Sequence, residues 1–144
     1  MTDTTTTTDR ELDLVTRLRG PVISLTRIIV AALFFCHGLQ GFGAFGGVDG
    51  QGGSVPLGSW PGWWGSVLEL LVAVLVGVGL FTRTAALLGS GVMAYAYFTV
   101  HAPMAFLPLV NMGEQAVLYC WVFLLFALIG PGPFAIDALL RRRR

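Results

Sequence analysis

The sequence predicts an all-α membrane protein: a bundle of four transmembrane helices with a disordered N-terminus and a short interfacial C-terminal helix. Three observations lead to this fold class. Hydrophobic residues make up 55% of the 144 residues and charged residues only 12%, whereas about 25% of a soluble domain is charged. The apolar residues fall in four blocks, each close to the ~20 residues that a helix needs to cross a ~30 Å hydrocarbon core. No block alternates with period two, and a sheet that spans a membrane must close into a barrel.

The individual elements follow from these blocks and from the segments between them. Residues 1–20 open with MTDTTTTTDRELD. This polar stretch cannot bury enough apolar surface to offset its ordering entropy, so we expect it to be disordered. Helices are predicted over about residues 21–45, 63–81, 84–101 and 112–130. The motif GPGPF ends the fourth helix. Residues 131–144, which end in AIDALLRRRR, are predicted to form a basic interfacial segment.

The basic residues predict the orientation in the membrane. All nine are arginines, and they lie before the first helix, near its start, between the second and third helices, and after the fourth. The loops between helices one and two and between three and four contain none. Cytoplasmic loops carry the excess of basic residues, so we expect both termini to be cytoplasmic in a plasma (inner) membrane protein. The four terminal arginines favour anionic lipids over nucleic acid as their partner, at about 1 kcal/mol per residue near the surface.

Six polar side chains are predicted to form a binding cluster in the outer half of the bundle: His37, Gln40, Glu69, His101, Asn111 and Glu114. His37 and Glu69 each lie about six residues from the outer end of their helix, so they share a depth of roughly 9 Å. A lone charge in a membrane helix costs about 2.5–3.5 kcal/mol on insertion scales, so each needs a partner or water. We therefore predict that His37 pairs with Glu69, where small residues such as Gly38 and Gly65 let the helices approach closely.

Two further charges are predicted near the cytoplasmic side. Arg27 lies close to the start of the first helix, and Asp137 follows the fourth. We predict a structural ion pair between them. Loop residues 102–110, which are apolar and contain two prolines, are expected to fold back over the outer cluster as a partly buried lid.

Other chemical readings have less support in the sequence. The spacing of His37 and His101 matches no known ligand signature, so no metal site is predicted. Cys36 and Cys120 lie on different helices and form no Cys-x-x-Cys motif, which favours unreactive thiols. No nucleotide-binding loop, nucleophile elbow or zinc-protease motif is present.

Three segments together resemble the DoxX family: TRIIVAALFFCHGLQGFG, LELLVAVLVGVGLFTRTAA and GEQAVLYCWVFLLFALIGPGPFAIDALL. They carry an arginine and a His-Gly pair, then a glutamate with a Thr-Arg turn, then Gly-Glu and a Gly-Pro-Gly followed by an aspartate. The resemblance extends from about Leu25 to Leu140. It implies a four-helix membrane bundle. It also implies links to quinone-linked sulfur oxidation, terminal oxidase function or oxidative-stress complexes.

We therefore expect an accessory component of a membrane redox system, with a redox protein or a larger membrane complex as its partner. A non-catalytic role is expected, or an oxidoreductase activity if the chain is catalytic. A quinone is the cofactor that this reading allows. One alternative is a binder or carrier of a small molecule, lipid or quinone that uses the outer cluster. Another is a purely structural assembly subunit. The sequence leaves the oligomeric state open.

Overall fold

A computed structural model describes residues 4–142 of the chain, with side chains for residues 9–141. Within this range the protein is all-helical, as predicted. The helices are α1 (Thr4–Gln40), α2 (Gly62–Val78), α3 (Thr82–Ala96), α4 (Glu114–Ile129) and α5 (Ile136–Arg142). A short 3-10 turn, Ala44–Gly46, follows α1, and a π-helical turn, Tyr97–His101, extends α3. Of the described helices, the part of α1 from Asp9 to Gln40 is long and apolar enough to cross a membrane, while α2 and α4 are apolar but shorter.

The first helix differs from the prediction at both ends. The predicted disorder of residues 1–20 is wrong from Thr4 onward, where the chain is already helical; residues 1–3 lie outside the described range. Once an apolar helix has formed, each added residue gains a hydrogen bond at little further cost. The exposed pair Arg17–Asp13 also supports this first part of α1, with 2.8 Å between nitrogen and oxygen. At the other end α1 stops at Gln40, because a left-handed Gly43 turns the chain.

The core lies where the helices pack side by side. α1 packs against α2, α3 packs against α4, and α2 and α3 approach each other less closely. Phe34 of α1 is fully buried at the centre. Its ring centroid lies 4.7 Å from that of Phe123 and 4.8 Å from that of Tyr119, both on α4. Gly89 of α3 leaves space for Val72 and Phe123, because a β-carbon there would lie 2.8 Å from Val72. The four long helices therefore enclose a single aromatic and aliphatic core.

The predicted C-terminal helix is present as α5, and it packs against the turn between α2 and α3. The Asp137 backbone amide donates to the Gly79 carbonyl at 2.9 Å. Gly130 and Gly132 have positive φ angles of 88° and 77°, which turn the chain after α4. The last two arginines of the predicted basic tail, Arg143 and Arg144, lie outside the described range.

The loop before α4 is pinned to the bundle, but it is not the partly buried lid that we predicted. The Tyr97 hydroxyl donates to the Phe106 carbonyl, and the Asn111 amide donates to the Ala105 carbonyl at 2.6 Å. Most apolar side chains of the loop nevertheless point outward, with Phe106 78% exposed. The two prolines and the backbone bonds hold the loop in a shape that leaves this exposed apolar surface. We call it the loop surface; it consists of Met104, Phe106, Leu107, Leu109, Val110 and Met112.

Candidate functional site

His37 and Glu69 lie together between α1 and α2, as their predicted depths require. The distance between His37 Nε2 and Glu69 Oε1 is 4.0 Å. Gly38 makes this approach possible, since a β-carbon at that position would lie 3.2 Å from the β-carbon of Glu69. Glu69 is buried, whereas the His37 side chain is about one-third exposed at 32%. The pair is thus an acid and an imidazole that face each other in an apolar setting.

Aromatic rings surround the histidine on its other side. The His37 ring centroid lies 5.9 Å from that of Tyr119 and 6.3 Å from that of Phe34. Its Nδ1 atom is buried and has no hydrogen-bond partner among the described residues. Nε2 is too far from Glu69 for a direct hydrogen bond. The pair therefore keeps unused hydrogen-bonding capacity, and a buried polar atom in that state calls for a ligand or a water.

A groove opens beside Glu69, between α2 and α3. Its volume is about 580 Å³, and its wall is almost entirely apolar, with Glu69 as its acidic residue. Gly65 of α2 and Gly91 of α3 line it, and a β-carbon at either position would meet no atom within 4 Å. Gly65 therefore does not bring α1 and α2 together as predicted. Its missing side chain instead leaves space for the α2–α3 groove, which we define as this cavity.

Trp60 and Tyr95 join the two walls of the α2–α3 groove. The Trp60 indole N–H donates to the Tyr95 hydroxyl at 3.2 Å, and the two ring centroids are 5.7 Å apart. Both side chains line the groove and both are also exposed. Trp60 precedes α2 and Tyr95 lies near the end of α3. A polar aromatic contact therefore bounds the groove, and Glu69 is the acidic residue that lines it.

The other predicted cluster residues do not join the pair in one six-residue site. His101 Nδ1 lies 3.0 Å from the Asn111 carbonyl oxygen, and the Asn111 side chain accepts from the Gly113 amide at 2.8 Å. These two residues hold the loop before α4. Gln40 ends α1 one turn beyond His37 and is partly buried, whereas Glu114 starts α4 and is exposed. The predicted cluster thus divides into the His37–Glu69 pair and a loop-bracing group.

Arg27 and Asp137 lie at the same end of the bundle but do not form the predicted ion pair. Arg27 is fully buried and donates only to backbone carbonyls. These are Pro131 at 2.9 Å, Gly77 at 2.6 Å, Phe134 at 2.5 Å and Val76. The Val76 and Gly77 carbonyls belong to the last turn of α2. The last carbonyls of a helix lack partners within the helix, and this end of the helix dipole favours a cation.

Asp137 has its own backbone partners at the start of α3. It accepts hydrogen bonds from the amides of Phe81 at 2.9 Å and Thr82 at 2.8 Å. Partial burial opposes ionisation, but these bonds outweigh it and lower the Asp137 pKa below its usual range. Each charge therefore satisfies one end of a helix, so neither needs the other as a direct partner.

The α2–α3 groove is the feature that sequence reasoning missed. A glycine in a helix indicates close packing and open space equally well, and only the spacing of the two helices decides between them. The Trp60–Tyr95 contact joins residues 35 positions apart, with no motif to mark it. Among residues 4–142, no three or more histidine, cysteine or acidic side chains are grouped to hold a metal ion.

Comparison with known proteins identifies the family. The DoxX family profile matches residues 22–102, which include α2, α3 and most of the apolar part of α1. An uncharacterized protein of Haemophilus influenzae is 38% identical over 124 residues, covering 84% of this chain and 92% of that protein. No solved structure matches the chain. The paired His37 and Glu69 and the α2–α3 groove both lie within the matched region, and this chain belongs to the DoxX family of membrane proteins.

Proposed function

We propose that this chain is a multi-pass plasma-membrane protein that binds a lipid-soluble molecule in the α2–α3 groove, as an accessory component of a membrane redox system. The single observation that carries the proposal is the buried residue Glu69, the acidic residue that lines an otherwise apolar cavity of about 580 Å³. Ligand sites are typically apolar cavities of about 300–1,000 Å³ with a few convergent polar groups. The α2–α3 groove has that size and that lining.

The exposed side chains support a multi-pass arrangement. Large apolar residues cover the outer faces of all four long helices, as at Leu33 of α1, Leu71 of α2, Leu87 of α3 and Leu128 of α4, each at least half exposed. A soluble protein rarely exposes apolar patches of that extent. The arginine distribution along the sequence supports cytoplasmic termini. Short helices such as α2 and α4 cross by thinning the bilayer locally.

The lining defines the class of ligand. The α2–α3 groove lies between two such helices, so a lipid-soluble molecule enters it from the bilayer. Its apolar part packs on Leu68, Leu88 and Val92, and its polar group meets Glu69. A hydroxyl donates to the carboxylate, and a carbonyl accepts from the protonated acid. An isoprenoid quinol or quinone fits both requirements, and it would supply the redox chemistry.

The accessory role has its own support. The sequence resemblance is one line, because it implies links to quinone-dependent and oxidase systems. The loop surface is the other, because exposed apolar patches mark contacts with proteins or membranes. We propose that a redox protein docks there, at the same end of the bundle as Trp60 and the start of α2. A chain that retains no lipophile but still copurifies with a complex would favour a purely structural assembly subunit instead.

The test compares the lipophiles that copurify with four versions of the chain. Each is extracted in mild detergent, and its bound lipophiles are quantified by mass spectrometry against the bulk lipid. Gly91→Leu fills the α2–α3 groove from a position with free space, and Glu69→Gln removes the charge. Ala32→Leu, on the exposed surface of α1, is the matched control.

We expect the wild type and Ala32→Leu to retain one lipophile selectively. Glu69→Gln should retain about tenfold less, because a hydrogen bond to a charged group is worth about 1.5–3 kcal/mol. Gly91→Leu should retain none above background. Equal retention by all four versions would overturn the binding proposal. Absence of any quinone-linked enzyme from the wild-type preparation would overturn the accessory role.

A further inference from the structure

We propose that Arg83 and Arg141 form a binding site for the phosphate group of an anionic membrane lipid, at the opposite end of the bundle from the loop surface. The two arginines line a cavity of about 320 Å³ together with Ile129, Pro131, Gly132 and Ala138. This cavity, the arginine pocket, lies between the start of α3, the turn after α4, and α5. It is separate from the α2–α3 groove.

The arginine pocket is preorganised on one side. Arg83 Nη1 donates to the carbonyls of Ala127 at 2.9 Å and Leu128 at 2.8 Å, which are the unsatisfied acceptors at the end of α4. These bonds hold the guanidinium in place and use only one of its three nitrogens. Nε and Nη2 keep their donors for a ligand, and a planar guanidinium matches the oxygen geometry of a phosphate.

The other side of the arginine pocket supplies a second cation. Arg141 faces the cavity from α5 and is exposed. Asp137 lies one turn earlier on the same helix, but it does not line the cavity, and both of its carboxylate oxygens accept backbone amides. The charge that faces the cavity is therefore positive from both walls.

The surroundings favour a lipid as the source of the phosphate. Phe81 and Phe134 are each about two-thirds exposed, and Leu139 of α5 is also exposed. These side chains offer apolar surface to acyl chains beside the two arginines. In the sequence, Leu140 is followed by a run of arginines, whereas residues 41–61 and 102–113 contain no basic residue. Anionic lipids bind such basic clusters beside membrane helices.

The test measures lipid binding to the purified full-length chain in neutral detergent by native mass spectrometry. Phosphatidylglycerol, phosphatidylcholine and inorganic phosphate are titrated separately. Arg83→Gln and Arg141→Gln each remove one charge from the arginine pocket. Arg10→Gln removes the same charge from the exposed start of α1 and serves as the control. Arg141→Gln is decisive if Arg83→Gln fails to fold, because Arg83 also caps α4.

We expect the wild type to bind phosphatidylglycerol at least about tenfold more tightly than phosphatidylcholine. Each pocket variant should weaken that binding by about fivefold, the effect of one arginine near a membrane surface. The affinity of Arg10→Gln for phosphatidylglycerol should stay within about twofold of the wild-type value. Equal binding of the two lipids, or equal losses in Arg141→Gln and Arg10→Gln, would overturn the site. Displacement of the lipid by millimolar inorganic phosphate would reassign the arginine pocket to a soluble phosphate and overturn the lipid assignment.

Discussion

Replacing Arg27 by alanine is the sharpest test of how the bundle is held together. The wild-type side chain is 0% exposed and donates to four carbonyls, two at the end of α2 and two in the turn after α4. Hydrogen bonds to a charged group contribute about 1.5 kcal/mol or more each, so the gross loss is about 6 kcal/mol. The alanine variant no longer has a buried guanidinium, so the desolvation cost of that charge disappears and offsets part of the loss. We expect a net loss of about 3–5 kcal/mol, because the substitution leaves four carbonyl groups without their buried donor.

Thermal unfolding in detergent measures this loss, with the fluorescence of the four tryptophans as the signal. At about 3 °C per kcal/mol for a chain of this size, Arg27→Ala should lower the Tm by about 10–15 °C. Arg27→Lys keeps the charge but lacks the planar guanidinium group. Its Tm should lie about halfway between those of the wild type and Arg27→Ala. Arg10→Ala, at an exposed site, should change the Tm by less than about 2 °C. If Arg27→Ala unfolds within 2 °C of Arg10→Ala, the four carbonyl contacts contribute little and the reasoning fails.

Three further predictions concern the capping aspartate, the pinned loop and the orientation. Because hydrogen bonds lower the pKa of Asp137 in the folded state, its contribution to stability is present above its ordinary pKa of about 3.9 and is lost as pH falls below that. The Tm difference between wild type and Asp137→Asn should therefore be larger at pH 7 than at pH 3. Asn111→Ala should cost about 1–3 kcal/mol and speed amide hydrogen exchange in residues 103–112. In a cysteine-free background in intact cells, an impermeant thiol reagent should label Gln51→Cys and not Asp9→Cys.

Each of these predictions has an outcome that contradicts it. A Tm difference for Asp137→Asn that is the same at pH 3 and pH 7 would mean that the carboxylate does not stabilise the start of α3. Unchanged exchange in the loop of Asn111→Ala would show that other contacts hold it. Labelling of Asp9→Cys alone would reverse the proposed orientation.

The sequence predicted the parts of the structure that depend on periodicity and depth. Counting residues from the ends of the apolar blocks brought His37 and Glu69 to one level, and they lie 4.0 Å apart. The Asp137 segment was likewise expected as a short helix after the fourth span, and it is present as α5. These features follow from helix geometry alone, because rise and turn per residue hardly vary.

The features that the sequence did not predict depend on backbone partners and on gaps between helices. Arg27 and Asp137 lie at the same end of the bundle, and two opposite charges near each other usually suggest an ion pair. Its actual partners are carbonyl groups, which every residue carries and which therefore leave no mark in a sequence. The open space beside Gly91 could not be predicted either, because it depends on the distance between α2 and α3 and not on the identity of one residue.

The contacts of Arg27 also impose an order in time on biogenesis. A ribosome completes α1 before it makes any of the four carbonyls that Arg27 will bind, which lie 49, 50, 104 and 107 residues further along. In a chain that enters the bilayer helix by helix, as the proposed topology requires, the nascent first helix must keep this guanidinium at the lipid headgroups. It reaches its final position only after the turn beyond α4 has been synthesised. A chain that stops short of Pro131 would thus offer Arg27 only the two carbonyls of α2, half of its final partners.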